Sequence, residues 1–318
     1  MLLTPEIIAI LLLNSIFFIF GGVAFYLSIK IFLQWNIDST KPLQYKLETQ
    51  SFLVATVIKY IFIIKLPLFL FFIFTQDKIS LLIPGAMCAA GVVNSTVYGL
   101  YLFVLKISNL YIFGFWLILN KIDMQKETMP YTKLKFFIFI VGFLFLTGES
   151  LLEIMMFSAI DIDKIVSCCG TLFSATSTSS ISKIFQLDNY LVLSLFYLNF
   201  LLMLVWYKNK IIFIVANITF IFTAIISLIL FFGTYIYQLP THHCPFCFLQ
   251  KDYYYVGYIL YITLFVGTFS GISGGIIALI TKAKQNNSYK TSLIFNFIYI
   301  VLVSLYVIIY YIQNGVWL

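Results

Sequence analysis

All five cysteines and both histidines of the chain fall in three short segments. They are Gly85-Ala86-Met87-Cys88, Ser167-Cys168-Cys169-Gly170 and His242-His243-Cys244-Pro245-Phe246-Cys247. Thiolates and thioethers are soft ligands that suit monovalent copper, and mixed thiolate and imidazole sets suit zinc. A Cys-x-x-Cys step on a short turn presents two sulfurs to one ion. Two imidazoles directly before it add donors, and Met87 adds a thioether. Adjacent cysteines make an awkward disulfide, but both can face an ion. The candidate metal ligands are therefore His242, His243, Cys244, Cys247, Cys168, Cys169, Cys88 and Met87, with copper or zinc as the ion. Cys88 is the weakest member, because a lone cysteine in an apolar helix more often packs than ligates.

The same residues admit thiol–disulfide exchange, with Cys244 and Cys247 as the redox pair. In four residues, Cys-Pro-x-Cys, the segment resembles the active-site motif of thioredoxin-like oxidoreductases. Outward-facing cysteine pairs also resemble those of quinone-linked membrane disulfide oxidases and of vitamin K epoxide reductases, in that arrangement alone. The chain has about twice the usual number of spans of those proteins, and its Ser-Cys-Cys-Gly element departs from their patterns. No family is assigned on this basis, and no residue role is carried over. A third reading makes the cysteines structural disulfides or small apolar packing residues.

Glu149 and Glu153 form a second candidate site. Four residues apart, they share one helix face. Ionisable residues at membrane depth usually face a bundle interior and mark ion or proton paths. The plain alternative is that one carboxylate pairs with Lys65, mid-span beside Pro67.

These residues must be positioned by membrane-spanning helices. The chain is 62% hydrophobic and 10% charged, with mean hydropathy +1.03. Soluble domains carry about 25% charged residues. Apolar stretches of about 20 residues, each able to cross a bilayer, recur at about 7–29, 52–75, 82–105, 134–157, 189–207, 211–235, 254–281 and 292–313. The predicted fold is thus an all-α, polytopic integral membrane bundle of about eight helices, one transmembrane domain over 1–318. Ile107 to Asn120 reads as an interfacial helix or an extension of the third span. Small residues at Gly267, Gly271 and Gly275 line one face of the seventh span and allow close helix approach. Tyr253, Tyr254, Tyr255 and Tyr258 read as an aromatic belt at its start.

Lysine placement predicts orientation. All 19 basic residues are lysine; 13 fall in odd-numbered connections and 4 in even-numbered ones. Cytoplasmic connections carry the lysine excess, so both termini and all five cysteines are expected outside. The outer connections are 158–188, with the vicinal cysteines and a Ser/Thr run, and 236–253, with His-His-Cys-Pro-Phe-Cys. Pro245 suits the first turn of a helix entering the seventh span. Cys244 would then sit where the helix dipole favours a thiolate. Met1 to Glu6 has no basic residue, against a cleaved signal peptide.

The net charge of +7 reflects topology-setting lysines facing anionic lipid, and nucleic acid is not an expected partner. No Cys-x-x-Cys-His occurs and both histidines sit in one loop, against haem. No Walker motif or glycine-rich nucleotide loop occurs, so no nucleotide cofactor is expected. The reading places the chain in a bacterial inner membrane. Membrane lipid surrounds it there, and a periplasmic metal chaperone or a thioredoxin-like protein is the expected partner.

Overall fold

The structure is a computed structural model that describes residues 4–36, 39, 41–166, 187–281 and 285–318. It is 82% helical, and no strand occurs among the described residues. Among the described residues eight helices are long and apolar enough to cross a membrane: α1 (Pro5–Gln34), α2 (Pro42–Ser80), α4 (Tyr98–Met124), α5 (Thr132–Ala159), α6 (Asn189–Trp206), α7 (Lys210–Tyr237), α8 (Val256–Thr281) and α9 (Asn286–Asn314). A six-residue helix, α3 (Ala89–Asn94), precedes α4. Prolines open α1 and α2 at the position where a missing N–H costs nothing. Asp188 caps α6, and Asn209 caps α7 by accepting from the Ile211 and Ile212 amides.

The third span continues through Ile107 to Asn120, the extension that the sequence allowed, but it begins later than predicted. It runs Tyr98–Met124, so Ile107 to Asn120 lies inside it, and residues 82–97 form a turn and the short α3 before it. The reason is local. Gly85 takes a left-handed φ of 86° after Pro84, breaking the apolar run. Gly99 lets the chain turn back tightly, since a Cβ there would meet the Val93 carbonyl oxygen at 1.9 Å. Lys106, which reads as a helix end in the sequence, is instead buried within α4.

The chain divides into two compact units, Met1–Pro84 with Val92–Val166 and Gly85–Gly91 with Ser167–Leu318. In the first unit α1, α2, α4 and α5 enclose an aromatic core. Phe62 stacks on Phe113 at 4.1 Å and meets Trp116 edge-on. Asp123 secures the α4–α5 connection. It pairs with Lys135 at 2.8 Å and accepts from the Tyr131 amide and the Thr132 hydroxyl.

The second unit packs α6 to α9 around Phe196, Phe220 and Tyr299. The glycine row of α8 lies against side chains as well as helices. A Cβ at Gly267 would strike Asn296 at 2.1 Å, at Gly271 Asn217 at 2.4 Å, and at Gly275 Ile214 at 2.3 Å. The absent side chains make room for a buried polar cluster. Ser292 donates to Asn217 Oδ1 at 2.9 Å, and Asn296 Nδ2 reaches the same oxygen at 3.2 Å. One turn of α7, Leu228–Phe232, is a π-helix.

Gly271→Ala is expected to destabilise the protein by about 1–3 kcal/mol, the usual range for overpacking. Gly22→Ala, where a Cβ meets nothing within 4 Å, should change little. Thermal unfolding of both variants in detergent checks this pair.

Candidate metal centre

The centre is built from two segments of the second unit: the turn before α3, which carries Cys88, and the connection from α7 to α8, which carries Cys244 and Cys247. The α8 helix starts at Val256, so Pro245 does not open it and Cys244 is not at its N-terminus. This corrects the sequence expectation. After Gln238 ends α7 in the left-handed region, the chain makes turns and two short 3-10 helices, Cys247–Leu249 and Lys251–Tyr253. Tyr254 and Tyr255 are both left-handed and reset the direction before the helix.

Hydroxyl groups from the flanking helices hold this irregular backbone. Tyr237, the last residue of α7, donates to the Cys244 carbonyl and accepts from the Phe248 amide at 3.1 Å. Tyr261 of α8 donates to the Pro245 carbonyl at 2.5 Å. Gln250 donates to the Met87 carbonyl at 3.1 Å, tying the loop to the Cys88 segment. Gly257 lets Phe248 and Leu249 settle on the start of α8, since a Cβ there would meet them at 2.5 and 2.9 Å.

The three sulfurs converge as a result. Those of Cys88, Cys244 and Cys247 all lie within 4.8 Å of one another, and Cys88 and Cys244 are 3.6 Å apart. All three residues are buried, at 0%, 1% and 5% exposure, within an apolar cluster that includes Phe232, Ile236 and Phe248. A metal about 2.3 Å from each of three sulfurs would set them about 4 Å apart. A buried three-sulfur group of this size can hold a metal ion. Cys88 thus lies at the heart of the group, on a turn and not inside a span.

The remaining sequence candidates fall elsewhere. Neither histidine belongs to the group within 4.8 Å. His242 stacks edge-on against Tyr237. His243 Nδ1 lies 2.9 Å from the Ile229 carbonyl, which belongs to the π turn of α7. A carbonyl only accepts, so Nδ1 carries the proton. Met87 is exposed at 66%. Cys168 and Cys169 lie outside the described residues. Beside the centre, burial pushes the Tyr253 phenol above its ordinary value, with nearby Cys247 adding to the shift.

Glu149 and Glu153 belong to the first unit and join a wholly buried network. Glu149 Oε1 accepts from Lys65 at 2.9 Å and from Lys106 at 2.8 Å, and its Oε2 from Asn109 at 2.5 Å. Lys106 also pairs with Glu153 at 3.0 Å. Asn14 closes the ring, donating to Glu153 and accepting from Lys65 at 2.8 Å. The pairing of Lys65 with a carboxylate is therefore present, together with partners that sequence reasoning missed. Asn14, Lys106 and Asn109 were findable as polar residues within apolar helices. Tyr237, Tyr261 and Gln250 carried no such signal.

No protein family matches the chain, and no curated protein or solved structure matches it significantly. Fold and site together define a multi-pass helical membrane protein with a buried three-cysteine cluster.

Tyr237→Phe removes both bonds that its hydroxyl makes and strands the buried Phe248 amide. It is expected to lower stability by about 1–3 kcal/mol and to speed amide exchange at Phe248 by roughly tenfold or more. Hydrogen exchange read by mass spectrometry, with thermal unfolding alongside, measures both.

Proposed function

We propose that the protein binds monovalent copper at Cys88, Cys244 and Cys247 and hands it to or from a soluble carrier. The observation that carries this reading is the donor set: three buried sulfurs within 4.8 Å, with no carboxylate or imidazole joining the group among the described residues. Structural zinc takes four ligands, one more than this group supplies among the described residues, and soft sulfur donors suit monovalent copper. The half-buried His242 and His243 and the exposed Met87 are then exchange ligands along the route of the ion. Cys168 and Cys169 are proposed to join them. The lysine asymmetry supports an outward-facing centre with both termini outside, in a bacterial inner membrane, served by a periplasmic metal chaperone.

A second reading rests on the 3.6 Å between the Cys88 and Cys244 sulfurs. Two thiols this close can form a disulfide, which would make the protein a thiol–disulfide oxidoreductase acting on a thioredoxin-like partner. Cys88, not Cys247, would then be the first partner of Cys244.

Copper uptake by the purified, reduced protein distinguishes the two. On the copper reading each chain takes up about one ion, bound through thiolates. Cys88→Ser, Cys244→Ser and Cys247→Ser should each lower affinity by about 100-fold or more, and His242→Ala and His243→Ala by only a few-fold. Because bound thiols release their protons, affinity should rise with pH. A protein that takes up no copper or zinc when reduced, yet after oxidation to the Cys88–Cys244 disulfide passes that disulfide to the dithiol of a thioredoxin-like partner, would overturn the copper reading.

The topological part has its own test. A membrane-impermeant thiol reagent applied to intact cells after mild reduction should label the cysteines. Labelling only after the inner face is opened would reverse the proposed orientation.

A further inference from the structure

The charged ring of the first unit has no part in the cysteine centre. Its members come from four spanning helices: Asn14 from α1, Lys65 from α2, Lys106 from α4, and Glu149 and Glu153 from α5. Asn14, Lys106 and Glu149 lie eight to ten residues inside their helices, about 12–15 Å at 1.5 Å per residue. Burying four charges is a poor way to join helices. Well-packed apolar side chains of similar volume often hold a core as well or better, and in hydrocarbon the penalty on charge grows. We propose that this ring is a proton–cation exchange site, at which the Lys65 ammonium and a small monovalent cation compete for the Glu149 carboxylate.

The two lysines are not equivalent. Lys106 touches both carboxylates, at 2.8 Å and 3.0 Å. Lys65 touches one carboxylate, at 2.9 Å, and the neutral Asn14 amide. The charged groups facing Lys65 are Lys106 from α4 and Glu149 and Glu153 from α5; α1 presents the neutral Asn14 amide and the Phe17 ring, 5.7 Å away. Lys65 is therefore the ammonium held by less opposite charge. It also borders a crevice with room for about one water-sized sphere, lined further by Lys106, Asn109 and Glu149.

Asn109 supplies the sign that something binds there. The residue is 1% exposed. Its Nδ2 is committed to Glu149, while its Oδ1 is buried without a hydrogen-bond partner. A carbonyl oxygen and a carboxylate oxygen beside one small crevice are donors for a hard cation. Charge balance sets its valence. Two ammoniums and two carboxylates sum to zero. When an N–H bond of the Lys65 ammonium breaks, the electron pair stays on nitrogen and the proton leaves to water in the crevice. The ring then carries one negative charge. One monovalent cation restores neutrality; a divalent one would overshoot. Pro67, two residues along α2, removes a helix hydrogen bond near Lys65 and loosens the backbone there.

The test uses the full chain in liposomes loaded with a pH-sensitive dye. Sodium, potassium or lithium chloride is added outside, with choline chloride as the control. An alkali cation, but not choline, should drive proton movement. Lys65→Arg keeps the charge but cannot release its proton, and should slow exchange by about tenfold or more. Asn109→Ala removes the proposed oxygen ligand and should raise the half-saturating cation concentration by roughly tenfold. Thermal unfolding reports whether each variant is folded, and Asn109→Ala tests the site if Lys65→Arg does not fold. Wild-type liposomes unresponsive to every alkali cation, or a folded Lys65→Arg exchanging at the wild-type rate, would overturn the proposal. An unchanged cation dependence in Asn109→Ala would do the same.

Discussion

Hydrocarbon offers no hydrogen-bond partner, and this constraint governs how the buried polar residues of the described spans are used. Short hydroxyls solve it locally by bonding back to their own helix. Thr75 donates to Phe71, Thr147 to Phe143 and Thr268 to Leu264, each four residues earlier. Side chains too long or too charged for that must find each other. In the first unit they do so as the ring of Asn14, Lys65, Lys106, Glu149 and Glu153. In the second, Asn217, Ser292 and Asn296 do so against the glycine row of α8. A polar group that failed to find a partner would carry the full penalty of desolvation.

The same constraint explains the tyrosines of the cysteine centre. The middle of the connection from α7 to α8, at Cys244 and Cys247–Leu249, is buried without being one continuous helix, so its amides and carbonyls need outside partners. Tyr237 satisfies the Cys244 carbonyl and the Phe248 amide with one hydroxyl. Tyr261 satisfies the Pro245 carbonyl. Each bond lies beside a sulfur-bearing residue. The sulfurs converge because hydrogen bonds fix the backbone that carries them, and Gln250 extends the same device to the Cys88 segment through Met87.

Hydropathy made the helical class and the number of spans legible, because a run of about 20 apolar residues has few other uses. It misplaced the start of the third span, since it counts residues one by one. Lys106 lowers the sum wherever it falls, and only three-dimensional pairing with Glu149 and Glu153 shows why it is tolerated inside α4. The Pro84-Gly85 break was readable as turn chemistry, yet the apolar residues around it outweighed it. Of the cysteine segments, the Cys-x-x-Cys motif announced itself, and Cys88 read only as the weakest candidate. Its role depends on a contact across 156 positions of sequence, which no local pattern encodes. Pro245 misled for the opposite reason: proline marks a helix start but serves equally well in a turn. The division into two units has no marker in composition, and no long repeat or linker announces it.

On the readings proposed for them, the two sites follow one electrostatic rule. A site surrounded by apolar side chains must stay close to neutral in each of its states. The ring achieves this with equal numbers of ammoniums and carboxylates, so a cation can enter only as a proton leaves Lys65. The cysteine cluster is neutral as three thiols, and it stays neutral when one thiol gives up its proton to one monovalent ion. In both, cation arrival and proton departure are one event. The groups differ in softness, sulfur in one and oxygen in the other, and it is that difference, more than charge or size, that directs copper to the first and an alkali cation to the second.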